Sequence, residues 1–168
     1  MGDPSTPSVP SENEFITDEL GRAMTAFDLE TCSVEEMFRR EDFVRLGGVM
    51  GSAGPEITAR RWDLFVRRLG EADTITGHNI IGFDLMALAR WHGADYEDLC
   101  AKSFDTLIVA KQLDPPLSKG MPPGYYGLDA LAERLGLPGK TDSIKALARK
   151  HGGFDRIPVD DPDYQAYL

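Results

Sequence analysis

The sequence predicts an α/β layer fold, and three stretches carry that expectation. Met24, Ala26, Phe27 and Leu29 form an apolar run suited to a buried strand, while Trp62, Phe65, Val66 and Leu69 recur at helical spacing. Residues 74–76 lead through Gly77-His78-Asn79 into a segment with Leu85, Leu88 and Ala89 on one side, a strand–loop–helix unit. Strands that alternate with helices bury a sheet between helical layers.

Taken in order, residues 1 to about 14 are rich in Pro, Ser and acidic groups with almost nothing to bury, so residues 1–20 read as a disordered lead and 21–168 as one domain. The first strand runs over 22–29, and polar Glu30-Thr31 mark its end. Ser33 followed by Glu36 has the pattern of a capping box and predicts a short helix to about Arg40. Residues 43–50 form a second strand, closed by the turn residues Gly51-Ser52-Ala53-Gly54-Pro55. The helix holding Trp62 and Leu69 ends at Gly70, and residues 106–113 turn helical after Phe104-Asp105. Pro115, Pro116, Gly120, Pro122, Pro123 and Gly124 make a surface loop. Helices follow at Leu128–Leu135, stopped by Gly136 and Pro138, and around Ile144, Leu147 and Ala148, ending near Gly152-Gly153. Residues 163–168 have the character of a first helical turn, so the last helix is expected to be incomplete.

At 168 residues and 42% hydrophobic, the chain suffices for one core. It has no apolar run near the roughly 20 residues that cross a bilayer and no signal-like start, so no membrane partner and a cytoplasmic setting are expected, the host cytoplasm if phage-encoded. Cys32 and Cys100 are too few for a disulfide framework and read as free thiols, Cys32 as a small buried residue. A net charge of -10 argues against holding nucleic acid through a broadly basic surface. Bound divalent cations would reverse that locally.

Asp28 and Glu30, two apart on a strand, point to one face while Phe27 and Leu29 point to the other. Such a pair is unfavourable unless a cation neutralises it, and Mg²⁺ or Mn²⁺ matches carboxylate donors. An isolated Asp-x-Glu is more often a strand end beside a solvated acid. Asp84, however, falls in the first turn of the next predicted helix, where the dipole tolerates an acid. Ligand sites in open α/β sheets form at the carboxyl ends of parallel strands, so the three acids can meet.

Phe27-Asp28-Leu29-Glu30-Thr31, followed by Asn79-x-x-x-Phe83-Asp84, resembles the first two motifs of the DEDD exonuclease superfamily, especially the proofreading domains of family A DNA polymerases. Ser103-Phe104-Asp105-Thr106-Leu107 and Tyr126-Gly127-Leu128-Asp129-Ala130-Leu131-Ala132-Glu133 resemble later landmarks in order and approximate spacing. The resemblance spans about residues 23–168. It implies a ribonuclease H-like three-layer fold, a mixed five-stranded sheet with helices on both faces. It also implies two divalent ions about 4 Å apart that clamp the scissile phosphate, activate a water and stabilise the departing 3′ oxygen. Asp28 would bridge both ions, Glu30 would bind the one on the nucleophile side, and Asp84 would hold the other. Thr31 would contact the terminal nucleotide; Asn79 and Phe83 would shape the helix entry and the strand path. The implied partners are single-stranded or frayed 3′ DNA ends and a DNA polymerase domain in cis or in trans.

The family pattern calls for a fourth carboxylate, four or five residues after a tyrosine or histidine that orients the attacking water. Tyr167 is the expected tyrosine, with an Asp expected at the third position beyond Leu168. Tyr125-x-x-x-Asp129 has the spacing but lies on an earlier helix, where Asp129 reads as a helix-start acid. His151-x-x-x-Asp155 contains Gly152-Gly153, which would break the required helix. His78 reads as structural, and Lys102, Lys111, Lys119 and Lys140 touch phosphate only if they share a face. The expected function is therefore a two-metal 3′→5′ proofreading exonuclease. The alternatives are a catalytically impaired module that binds 3′ ends or a polymerase partner, and an exoribonuclease.

Overall fold

The computed structural model describes residues 23–51, 54–116, 120–138 and 143–168. The lead over 1–20, Lys119 and Lys140 lie outside the described residues. Five strands form one sheet: β1 (Met24–Thr31), β2 (Val44–Gly51), β3 (Gly54–Thr58), β4 (Thr74–Gly77) and β5 (Ser103–Asp105). Their order is β3-β2-β1-β4-β5; β2 runs antiparallel to β1 and β3, while β1, β4 and β5 are parallel. The helices are α1 (Trp62–Glu71), α2 (Leu85–His92), α3 (Tyr96–Ala101), α4 (Thr106–Leu113), α5 (Leu128–Arg134), α6 (Ser143–His151) and α7 (Pro162–Tyr167). This mixed sheet with helices on both faces is the ribonuclease H-like arrangement.

Strand alternation divides the core in two. Phe27, Leu29, Val49 and Ile75 face Phe65 and Leu69 of α1, Leu85 and Leu88 of α2, and Leu99 of α3. Leu46 faces the other way and is buried with Ile144, Leu147 and Ala148 of α6, Ile157, and Tyr164 of α7. The adjacent glycines Gly47 and Gly48 serve opposite faces by close approach. A Cβ on Gly47 would lie 2.8 Å from the Trp62 ring of α1, and one on Gly48 2.7 Å from Leu168. A methyl group at either position would force the facing side chain to shift.

Two local expectations fail, and one element is new. Gly54-Pro55 do not merely close a turn but begin β3, paired with β2 from Gly51↔Gly54 to Gly47↔Thr58. Residues with turn chemistry thus serve as strand residues, while Ser52 and Ala53 lie outside the described residues. Ser33 makes no capping bond; its hydroxyl turns to the Glu35 carboxylate, and only a short 3₁₀ turn, Val34–Glu36, forms. The six-residue helix α3 was not anticipated. It starts where the Asp95 side chain accepts the Asp98 N–H.

Candidate metal centre

Asp28 and Glu30 leave β1 on the face opposite Phe27 and Leu29 and stand across the ladder from Gly48 and Leu46. Because β4 pairs in parallel with the first half of β1, from Met24↔Thr74 to Ala26↔Thr76, the chain leaves β4 beside the second half of β1. Gly77 permits this: a Cβ there would lie 2.6 Å from the Phe27 carbonyl oxygen and 2.4 Å from Ile80 Cγ2. Asn79 then takes a left-handed φ of 63°, which asparagine tolerates better than most residues. Its Oδ1 stands 2.7 Å from where a Cβ on Gly82 would be. The sequence expectation put Asp84 in the first turn of a helix. Instead a wide π-type turn, Ile80–Asp84, precedes α2 and Asp84 closes it, only 3% exposed.

Asp84 is pushed up to about 8, by burial first and by the negative charge of Asp28 second, with Asp105 adding a smaller push. Hydrogen bonds from its own backbone and from that of Leu29 pull the other way. Burial and a like charge thus outweigh the backbone donors at this site.

The keystone of the approach is Asp105, 4% exposed at the end of β5. Its Oδ1 accepts the N–H of Asn79 at 2.9 Å and of Leu107 at 2.9 Å, and its Oδ2 accepts the N–H of Ile81 at 3.0 Å. One carboxylate therefore caps α4 and also pins the loop that delivers Asp84. In the sequence Asp105 stands out only as part of Ser103-Phe104-Asp105-Thr106-Leu107. Its signal was an Asp directly before a helical run, the N-cap position.

The remaining predicted residues distribute around this centre. Thr31 is half-buried and its hydroxyl donates to the Cys32 carbonyl at 2.9 Å. Phe83 packs edge-on against Phe43, ring centroids 6.0 Å apart, and so leans into the core. Tyr167 and Leu168 pack beside the cluster around Leu46, so α7 covers the sheet face that carries the acids. The tyrosine that feels Glu30 is Tyr164, which sequence reasoning did not single out. It is 2% exposed and pushed up to about 12, by burial first and then by the Glu30 charge. The Arg45 guanidinium lies 5.5 Å from its ring centroid.

Asp129 sits in the first turn of α5. His151 ends α6 and lies 3.3 Å from Asp161, whereas Asp155 meets Arg40 at 3.2 Å. His78 bonds through Nδ1 to the Thr106 hydroxyl at 3.0 Å, and that hydroxyl donates to the Gly77 carbonyl at 3.0 Å. Lys102 is drawn to the Gly70 carbonyl and to Asp98 at the amino end of β5, and Lys111 lies in the last turn of α4.

In donor type and charge, Asp28 and Asp84 fit a hard divalent cation, which would take the place of the proton that burial favours. Among the described residues no three His, Cys, Asp or Glu side chains are gathered into a metal-holding set. Asp28 lies near enough to Asp84 for its charge to raise that pKa, and Glu30 near enough to Tyr164 to do the same there. No helix among the described residues is long and apolar enough to cross a membrane.

No family model and no curated protein matches the chain. Among solved structures, it is similar to the family B DNA polymerase from the hyperthermophilic archaeon Pyrobaculum calidifontis, with 20% identity and a TM-score of 0.49. That match covers 86% of this chain and 24% of the polymerase chain, so the protein spans about a quarter of its length.

Proposed function

We propose that this chain is a 3′→5′ exonuclease module of the polymerase-proofreading type, acting on single-stranded or frayed 3′ DNA ends with Mg²⁺ or Mn²⁺. The observation that carries this reading is the approach of Asp28 on β1 to buried Asp84 in the turn that follows parallel β4, near enough for the Asp28 charge to raise the Asp84 pKa. In this reading Asp28, Glu30 and Asp84 would hold the metal. Bound divalent ions would supply charge neutralisation and an acidified water. Tyr167 orients that water. Water attacks phosphorus, the P–O3′ bond breaks, and a proton ends on the departing 3′ oxygen, releasing a nucleoside 5′-monophosphate.

The test is release of 3′-terminal label from a single strand in Mn²⁺, compared for the protein, Asp28→Ala and Asp84→Ala. The reading expects label release as mononucleotide and a loss of at least about a hundredfold in each variant. Equal activity in the variants would overturn it. Because no three such side chains are gathered among the described residues, a second reading is a binding-only module. That reading expects strand binding without product.

A further inference from the structure

Helices α4 and α5 differ from α1 and α2 in what they bury. Phe65 and Leu69 of α1 and Leu85, Ala87 and Leu88 of α2 are buried, whereas no residue of α4 or α5 is, although α4 reads Thr-Leu-Ile-Val-Ala-Lys-Gln-Leu. The two helices wall a concavity of about 470 Å³, lined by Val109, Ala110, Leu113, Leu128, Leu131 and Leu135 among others. Leu113 is 83% exposed and Leu135 71%, so large apolar side chains stand in water at its rim. Contiguous apolar surface of this kind gains free energy when something covers it.

Charge and reach narrow what that cover is. The charged residues of the groove are Asp114 and Arg134. The Asp114 carboxylate accepts the Tyr125 hydroxyl, while the Arg134 guanidinium, 3.9 Å from the Tyr125 ring centroid, brings a positive charge to an otherwise apolar wall. Such a wall matches a segment that is both apolar and acidic. The chain has one: Phe15, Ile16 and Leu20 stand among Glu12, Glu14, Asp18 and Glu19, in the residues that precede the described ones. The other stretches outside the described residues, 52–53, 117–119 and 139–142, hold one large apolar residue, Leu117. The strand register, Met24↔Thr74 and Gly77↔Asp105, sets residue 23 two strands over and four residues back from the start of α4, about 16 Å away by strand spacings. The link from Phe15 to residue 23 spans up to about 28 Å, enough to lay Phe15, Ile16 and Leu20 along α4.

We infer that Phe15, Ile16 and Leu20 of the chain's own leading segment cover the groove between α4 and α5, with the acids around them turned to Arg134. The contact is made within one chain, so the segment meets the groove at an effective concentration on the order of millimolar, and a few buried apolar side chains suffice to hold it. It does not rest on the proposed nuclease reading, because none of these residues belongs to the acidic pair.

The experiment is photocrosslinking of the full chain with benzoylphenylalanine in place of Phe15, read on a gel and by mass spectrometry of the joined peptides. Crosslinks within one chain to residues 106–113 or 128–137 are expected. Leu135→Glu, at a position 71% exposed and outside the core, should lower their yield at least about threefold, and Leu20→Ser should do the same. Arg134→Ala should lower the yield less and remove most of its dependence on salt. Circular dichroism and melting of each variant report folding. The inference is overturned if Phe15 crosslinks elsewhere on the chain, if it forms no crosslink, or if folded Leu135→Glu and Leu20→Ser crosslink as fully as the chain without them. Crosslinks between chains would also overturn it and make a second copy the occupant. Asp28→Ala should leave the crosslinks unchanged, so a failure of the nuclease reading and a failure of this one are told apart.

Discussion

Replacing Asp105 tests the geometry that presents Asp84. In Asp105→Asn the side chain keeps its shape, and the amide oxygen can still accept from Asn79 and Leu107. The amide nitrogen then faces the Ile81 N–H, which now points at the carboxylate from 3.0 Å, so donor meets donor. A hydrogen bond to a charged group contributes about 1.5–3 kcal/mol, and a buried N–H left unmet costs about 1–3 kcal/mol, so a loss of about 2–3 kcal/mol is expected. Asp105→Ala abandons all three donors in a site 4% exposed and should lose about 4–6 kcal/mol. Relief of like charge on Asp84 offsets only a small part, since Asp105 ranks below burial and Asp28 among the causes of its shift. Urea unfolding at constant m measures both values. Amide exchange should show Ile81 losing protection in the Asn variant while Asn79 and Leu107 retain theirs. If Asp105→Ala stays within about 1 kcal/mol of wild type, the carboxylate does not pin the loop and the reasoning fails.

Two further outcomes follow from the same region. Asp84 holds its proton to about pH 8 when folded, against an ordinary value of 3.8, so between these limits the folded chain binds a proton that the unfolded chain has released. Metal-free stability should therefore fall as pH rises through that window, with a slope approaching 1.4 kcal/mol per pH unit from this group, roughly, and Asp84→Asn should remove the slope. Stability profiles of wild type and Asp84→Asn with identical slopes from pH 5 to 7.5 would contradict this. Gly77→Ala places a methyl against the Phe27 carbonyl and Ile80, with approaches of 2.6 and 2.4 Å. It should cost about 2 kcal/mol or more, seen as a melting point lower by several degrees, and an unchanged melting point would show that β4 does not need this approach.

How much was legible in the sequence depended on which signal a residue carries. Period-two alternation suffices to put Asp28 and Glu30 on one face, because Phe27 and Leu29 must be buried on the other. The helices α1, α5 and α6 were legible for the same reason, through apolar spacing. Strand β3 was not, because Gly54 and Pro55 carry turn chemistry and a strand at once, and only pairing with β2 decides between them. The Ser33 pattern was misleading: a hydroxyl that bonds the neighbouring Glu35 cannot cap. Tyr164 and Asp105 gain their roles from the tertiary fold, through the Glu30 charge and the Arg45 guanidinium in one case and a loop more than 20 residues away in the other. Such contacts leave no local mark beyond a tyrosine on a short helix or an Asp before one.

The most direct measurement of the central claim is a Mn²⁺ titration followed by electron paramagnetic resonance of free Mn²⁺ at pH 7.5, on wild type, Asp28→Asn and Asp84→Asn of confirmed fold. The account predicts saturable binding by wild type and at least a tenfold loss of affinity in each variant, with competition by Mg²⁺. Absent binding in wild type, or equal binding in all three, would contradict a metal centre built on Asp28 and Asp84.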